Sequence, residues 1–292
     1  FVGCTFNGKA DLEGPYLYFQ SNIFMGDAKL TQSGSGQSYS YGLNTFHGDV
    51  ELKNTGVSEF HMCYSRPDIF DGNIKVSNTS TGSLLIGRGS STPISIINGK
   101  SISVGTQGFG SGYLELSHFA NLDSYKFAVS LPSNVQLSLQ YPSFIGDMHL
   151  SGPKTDVRFC TFGGKARVTG PQLAFYSNNF HDDARFNQTG NGGAYSYGVN
   201  IFDGNLELNN SGTSWLLMAY NYPDIIKGNL ITSGLVNFGE GGGYAQFVGN
   251  SPQYISGLGQ PRFHKLVNDN SQGKLSVYNE IFIRHELMLN TG

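Results

Sequence analysis

Four groups of residues in this chain have side chains and spacings that could do chemistry. Six acids, Asp27, Asp49, Asp71, Asp147, Asp183 and Asp203, recur beside or inside an aromatic-x-glycine element. Carboxylates gathered on one face of a β-structure serve calcium sites and the acid and base pair of glycoside cleavage. Seven histidines, His47, His61, His118, His149, His181, His264 and His285, and three cysteines, Cys4, Cys63 and Cys160, are potential metal ligands or nucleophiles. The pairs Tyr39 with Tyr41 and Tyr195 with Tyr197 stand two apart in Tyr-Ser-Tyr-Gly. On a strand they share one side, which suits sugar rings or another protein.

Each group also has a plainer reading. The position after the glycine, or after its replacement, runs Lys9, Asp27, Asp49, Asn73, Lys165, Asp183, Asn205 and Asn229 through the chain. Two lysines in that row favour a solvated polar corner over a metal ladder. Asp182-Asp183 and Asp123 have no evident partner, and nothing resembles a nucleophile with its base, so no catalytic residue is expected. The histidines occupy non-equivalent positions without paired metal spacing, and no metal or cofactor is expected. Cysteine usage matches neither a disulfide framework nor a zinc pattern. The tyrosine pairs are the candidate contacts for a ligand or partner, against the alternative that their rings only hold the coil shape.

The elements that position these groups emerge from repetition. Residues 1–73 laid without gaps over 157–229 agree at about half of all positions, which defines a duplicated unit of about 156 residues. Within it an aromatic, one residue and usually a glycine precede polar-apolar alternation, as in Phe46-His47-Gly48 followed by Asp49-Val50-Glu51-Leu52. Such alternation marks a strand with one buried face. The aromatics Phe6, Phe24, Phe46 and Phe70 recur at lengthening intervals, and their counterparts Phe162, Phe180, Phe202 and Ile226 keep the same intervals. Short strands at a period near twenty, with glycine at the corners, predict an all-β, right-handed parallel β-helix (β-solenoid). At roughly 22 residues per coil it would have about 13 coils, stacked at the strand spacing of about 4.8 Å.

Stacking makes those eight residues, with Phe144, a ladder inside the core. The glycine two positions later is expected where the backbone turns with positive φ. Unequal spacings place bulges at residues 32–40 with 188–196, and at 65–68 with 221–224. Residues 77–143 read as further coils with different corners, through Ser83–Ile86, Ile94–Ile97, Tyr113–Leu116 and Val135–Leu139. Cys4 and Cys160, about seven coils and roughly 34 Å apart at the strand spacing, cannot meet, so three free and largely buried thiols are expected. The organisation is a first repeat unit at 1–156, the start of a second at 157–240, and divergent continuing coils at 241–292. Because Phe1 aligns with Val157 inside a repeat, the chain reads as a fragment of a longer one.

Composition agrees. Forty glycines among 292 residues, 13% charged residues and 13% aromatics do not describe a helical enzyme, and 21 Phe with 16 Tyr exclude disorder. A net charge of −3 makes nucleic acid a poor partner. No apolar run is long enough to span a bilayer as a helix.

The Phe-x-Gly units, with Pro67-Asp68-Ile69-Phe70-Asp71-Gly72-Asn73-Ile74-Lys75-Val76, Leu85-Ile86-Gly87, Ile102-Ser103-Val104-Gly105 and Gly108-Phe109, resemble the repeats of giant, adhesin-like cell-surface proteins of Bacteroidota. The resemblance covers about residues 1–240. In that family long arrays of such units precede a type IX secretion sorting domain. It implies a section of a secreted, elongated cell-surface or filament protein, extracellular, with a structural or adhesive role and no catalysis. Its partners would be other copies or segments of the same giant protein, or surface glycans and proteins. The alternative is a β-helix module that binds or cleaves polysaccharide.

Overall fold

A computed structural model describes residues 1–87, 95–98, 101–109, 113–121, 127–131, 136–271 and 273–290. Ile94, Asp123 and Val135 lie outside the described residues. All regular structure among the described residues is β, and no described helix is long and apolar enough to cross a membrane. The chain divides into two compact units, Phe1–Pro153 and Lys154–Gly292.

In each unit the chain winds as a parallel β-solenoid with three strands to the turn. In the first unit one turn comprises Ile23–Phe24, Ala28–Gln32 and Ser38–Gly42, and the next Thr45–Phe46, Val50–Asn54 and Phe60–Met62. Each strand pairs in register with its counterpart one turn on, so Ala28 meets Val50 and Leu30 meets Leu52. The second unit repeats this, with Ala184 against Leu206 and Phe186 against Leu208. About 12 turns are present, in line with the expected number. The middle turns are longer than the Phe spacings suggest: Ile74 pairs with Ile102 and Ile102 with Val129, whereas Val50 pairs with Ile74.

The core is built of in-register rows. Phe24, Phe46 and Phe70 are fully buried, and the ladder Phe6, Phe24, Phe46, Phe70 stacks with centroids 4.6, 4.6 and 5.0 Å apart and rings within 9° of parallel. In the second unit Phe162, Phe180 and Phe202 stack at 4.8 and 4.9 Å, with Ile226 registered on Phe202. Phe144 is likewise buried. Truncating one interior rung to alanine removes this area and leaves a void, worth about 3–5 kcal/mol.

The corner glycines serve a different purpose from the one expected. None of Gly26, Gly48, Gly72, Gly204 or Gly228 has positive φ. Their requirement is proximity: a Cβ at Gly72 would sit 2.3 Å from the Gly48 carbonyl oxygen, and one at Gly228 2.2 Å from that of Gly204. Backbones of successive turns touch at this corner, and only hydrogen fits between them. Of these five the fit is loosest at Gly26, where a Cβ would approach to 2.9 Å, and there the second copy carries Asp182. Left-handed backbone falls at another corner and on residues with side chains, among them Ser21, Leu43, Cys63, Phe159, Ser177 and Ala219.

The expected bulges are loops between strands. Residues 33–37 join Ala28–Gln32 to Ser38–Gly42, and 63–68 join Phe60–Met62 to Ile69–Phe70. Ser38 and Ser40, placed in the first bulge by the spacing, belong to a strand. Inward-facing amides anchor the first of these loops and those at the same corner in other turns: Gln32 Nε2 donates to the Gly36 carbonyl at 2.7 Å, Asn54 Nδ2 to Ser58 at 2.8 Å, Gln188 Nε2 to Gly192 at 2.6 Å and Asn210 Nδ2 to Ser214 at 2.8 Å.

Candidate functional site

The strand Ser38–Gly42 alternates strictly, with Ser38 and Ser40 buried and Tyr39 and Tyr41 half-exposed on the outer face. Ala194–Tyr197 does the same with Tyr195 and Tyr197. The rings are gathered by the turns beside them. Tyr39 stacks on His61 at 5.0 Å and meets Tyr64 edge-on at 4.9 Å, while Tyr41 lies 5.0 Å from Tyr18. In the second unit Tyr197 stacks on Tyr176 at 4.9 Å and Tyr220 sits edge-on to both Tyr195 and Tyr197 at 5.8 and 5.4 Å. The Arg158 guanidinium covers Tyr176 at 4.3 Å and forms a two-point pair with Asp156 at 2.8 and 2.6 Å.

Sequence reasoning missed Tyr64 and Tyr220. The signal was present, since each follows the second tyrosine of its pair, Tyr41 or Tyr197, by close to one turn of the solenoid. Desolvation, followed by neighbouring phenols, raises the pKa of Tyr39 and Tyr197, and these hydroxyls stay protonated at neutral pH. The Tyr39 hydroxyl donates to Gln37, and that of Tyr18 to Gln20 at 3.0 Å. Ring faces are thus turned toward one another along the stack, and two of the hydroxyls are engaged within reach of their own strands.

Beneath this face lies a polar ladder that no motif announced. Asn22 Oδ1 accepts the Cys4 N–H at 2.9 Å. Asn44 Oδ1 accepts the Asn22 N–H at 3.0 Å and Nδ2 at 2.8 Å. Asp68 Oδ1 accepts the same two donors of Asn44, at 2.9 and 2.8 Å. The second copy repeats it through Cys160, Asn178, Asn200 and Asp224. Each amide passes a donor to the oxygen in the next turn, and the last rung receives these donors without having to pass one on.

Local backbone explains why that rung is an acid. Ser21 and Leu43 give their N–H groups to the carbonyls of Gly42 and Pro67 in the next turn. Their counterparts in the following turn, Cys63 and Ala219, instead donate to Asp68 Oδ2 at 3.1 Å and Asp224 Oδ2 at 2.8 Å. Ser40 and Ser196 donate from the adjacent strand at 2.6 and 2.8 Å. Both acids are fully buried. Desolvation raises both carboxyls against the pull of these hydrogen bonds, that of Asp224 to about 6.

The acidic corner row is a third ladder, on the surface. Lys9 pairs with Asp27 at 3.3 Å, Asp27 Oδ1 accepts the Asp49 N–H at 3.2 Å, and Asp49 Oδ1 accepts the Asn73 N–H at 2.8 Å. Lys165, Asp183, Asn205 and Asn229 repeat the sequence. An Asp or Asn here supplies the oxygen that caps the next turn's backbone, which is why the two alternate freely along the row. In two places the residues just after successive ladder Phe positions meet by hydrogen bonding, His47 with Asp71 and His181 with Asp203, each at 2.7 Å. Lys227 joins Asp203 at 2.7 Å, and together these partners hold its carboxyl below the usual range against the opposing effect of desolvation. Among the described residues no three His, Cys, Asp or Glu converge on a metal position.

No disulfide joins the three cysteines; Cys63 and Cys160 are buried and Cys4 is half-buried. Burial pushes the Cys160 thiol well above its ordinary pKa. Two of the histidines meet although no motif spacing marks them: His264 and His285, one turn apart, place their rings 4.4 Å from each other. Neither a protein-family model nor a curated protein nor a solved structure matches the chain.

Proposed function

We propose that this chain is a section of a secreted cell-surface or filament protein whose role is structural and adhesive rather than catalytic. The observation that carries the reading is how the reactive side chains are used. In both units the acids at the Phe-x-Gly corner are held by a lysine, a histidine or a backbone N–H of the neighbouring turn. Carboxylates pinned by cations and amides are poor general acids and bases, because their protonation is already committed. They make good fasteners between turns. Export and the giant-protein context rest on the resemblance of the repeats alone. The outer tyrosine face is the surface this reading offers to glycans or to other copies.

Incubation with a panel of acidic and neutral polysaccharides, scored both for retention and for release of reducing or unsaturated ends, tests it. Retention without turnover is expected on surface glycans, weakened by Tyr41→Ser or Tyr197→Ser. Turnover proportional to protein concentration would establish the polysaccharide-cleaving alternative instead.

A further inference from the structure

His264 and His285 lie on the paired strands Arg262–Asn270 and Phe282–Leu289, beside a register shift between Phe263 and Lys265. That irregularity brings the two imidazoles to 4.4 Å between centroids with a 45° tilt. They face a concavity of about 450 Å³ lined also by Gly242, Lys265 and Glu286. His264 is half-buried and His285 exposed, so both rings can turn without moving a strand.

We propose that this pair binds a divalent transition-metal ion of the imidazole-preferring class, Cu(II) or Ni(II) before Zn(II). A metal–nitrogen bond of about 2.1 Å puts the ion about 3.2 Å from a ring centroid. Two imidazoles in cis positions of a square or octahedral sphere then have centroids about 4.5 Å apart, against roughly 5.2 Å at a tetrahedral angle. The observed separation fits the cis arrangement that copper and nickel favour, and water fills the remaining positions. The charged neighbours cancel, because the Lys265 ammonium is paired with the Glu286 carboxylate at 3.0 Å. An ion bound here would tie two successive turns together, in addition to any surface role of the chain.

Calorimetric titration of the full chain with NiCl2, and with CuCl2 in a weakly chelating buffer, tests the proposal. Saturable binding of one ion is expected, with affinity lowered at least about tenfold in His264→Ala and in His285→Ala. Both side chains are at the surface, so circular dichroism of the variants should match that of the parent. His47→Ala, which alters a histidine engaged with Asp71, should leave the affinity unchanged. Absence of saturable binding, or equal affinity in the His264→Ala/His285→Ala double variant, overturns the assignment.

Discussion

Replacing Asp224 with asparagine should alter how the stability of the second unit depends on pH. The carboxyl pKa rises from 3.8 to about 6 on folding, roughly 2 units, and each unit is worth about 1.4 kcal/mol. A raised carboxyl pKa means that the folded state prefers the proton. The stabilisation is therefore full below pH about 4, is lost as pH climbs through the folded pKa, and is absent above about pH 7, a total near 3 kcal/mol. Asparagine has no proton to lose, but its amide group must face the Ser196 hydroxyl or the Ala219 N–H, both donors to the native carboxyl. A mismatched buried donor costs about 1–3 kcal/mol. The variant should thus be less stable than the parent at pH 4 and should close that gap, or reverse it, by pH 7.

The assay is urea unfolding at half-unit pH steps, followed through Trp215. This is the chain's one tryptophan, and it adjoins the strand Leu216–Met218 in the same unit, with Arg262 over its ring at 4.5 Å. The difference between variant and parent isolates Asp224 from oppositely signed groups such as Asp203. Curves that run parallel from pH 4 to pH 7, within about 0.5 kcal/mol, would show that burial does not perturb this carboxyl and would refute the reasoning.

Two further outcomes follow from the packing. Gly72→Ala should destabilise the first unit by about 1–3 kcal/mol through overlap with the Gly48 carbonyl, whereas Gly8→Ala, which meets nothing within 4 Å, should be neutral in the same thermal melt. Maleimide labelling of the native protein, read by mass spectrometry, should modify Cys4 first and leave Cys63 and Cys160 intact until urea is added.

Much of this protein is a direct consequence of sequence periodicity. The Phe spacings, the alternation after each corner and the long internal duplication specify a parallel β-solenoid and its aromatic ladder, because a turn that stacks in register must repeat its inward side chains at its own length. Where the turn length changes, the period no longer marks the strands: the turns that carry Ile74 to Ile102 and Ile102 to Val129 are longer than the Phe spacings. The corner glycines, read as a φ requirement, answer to a contact between turns that no single turn contains. The same holds for the sites. Asn22, Asn44 and Asp68 are identical in the second copy, yet nothing in their scattered local contexts says that they share one buried column. His264 and His285 meet only because a register shift in the last strand pair brings them to one level. Period and polarity are local properties of the chain, so the repeating unit is legible in the residues alone. Which side chains face each other across turns depends on the summed length of every loop between them, and that emerges only when the turns stack.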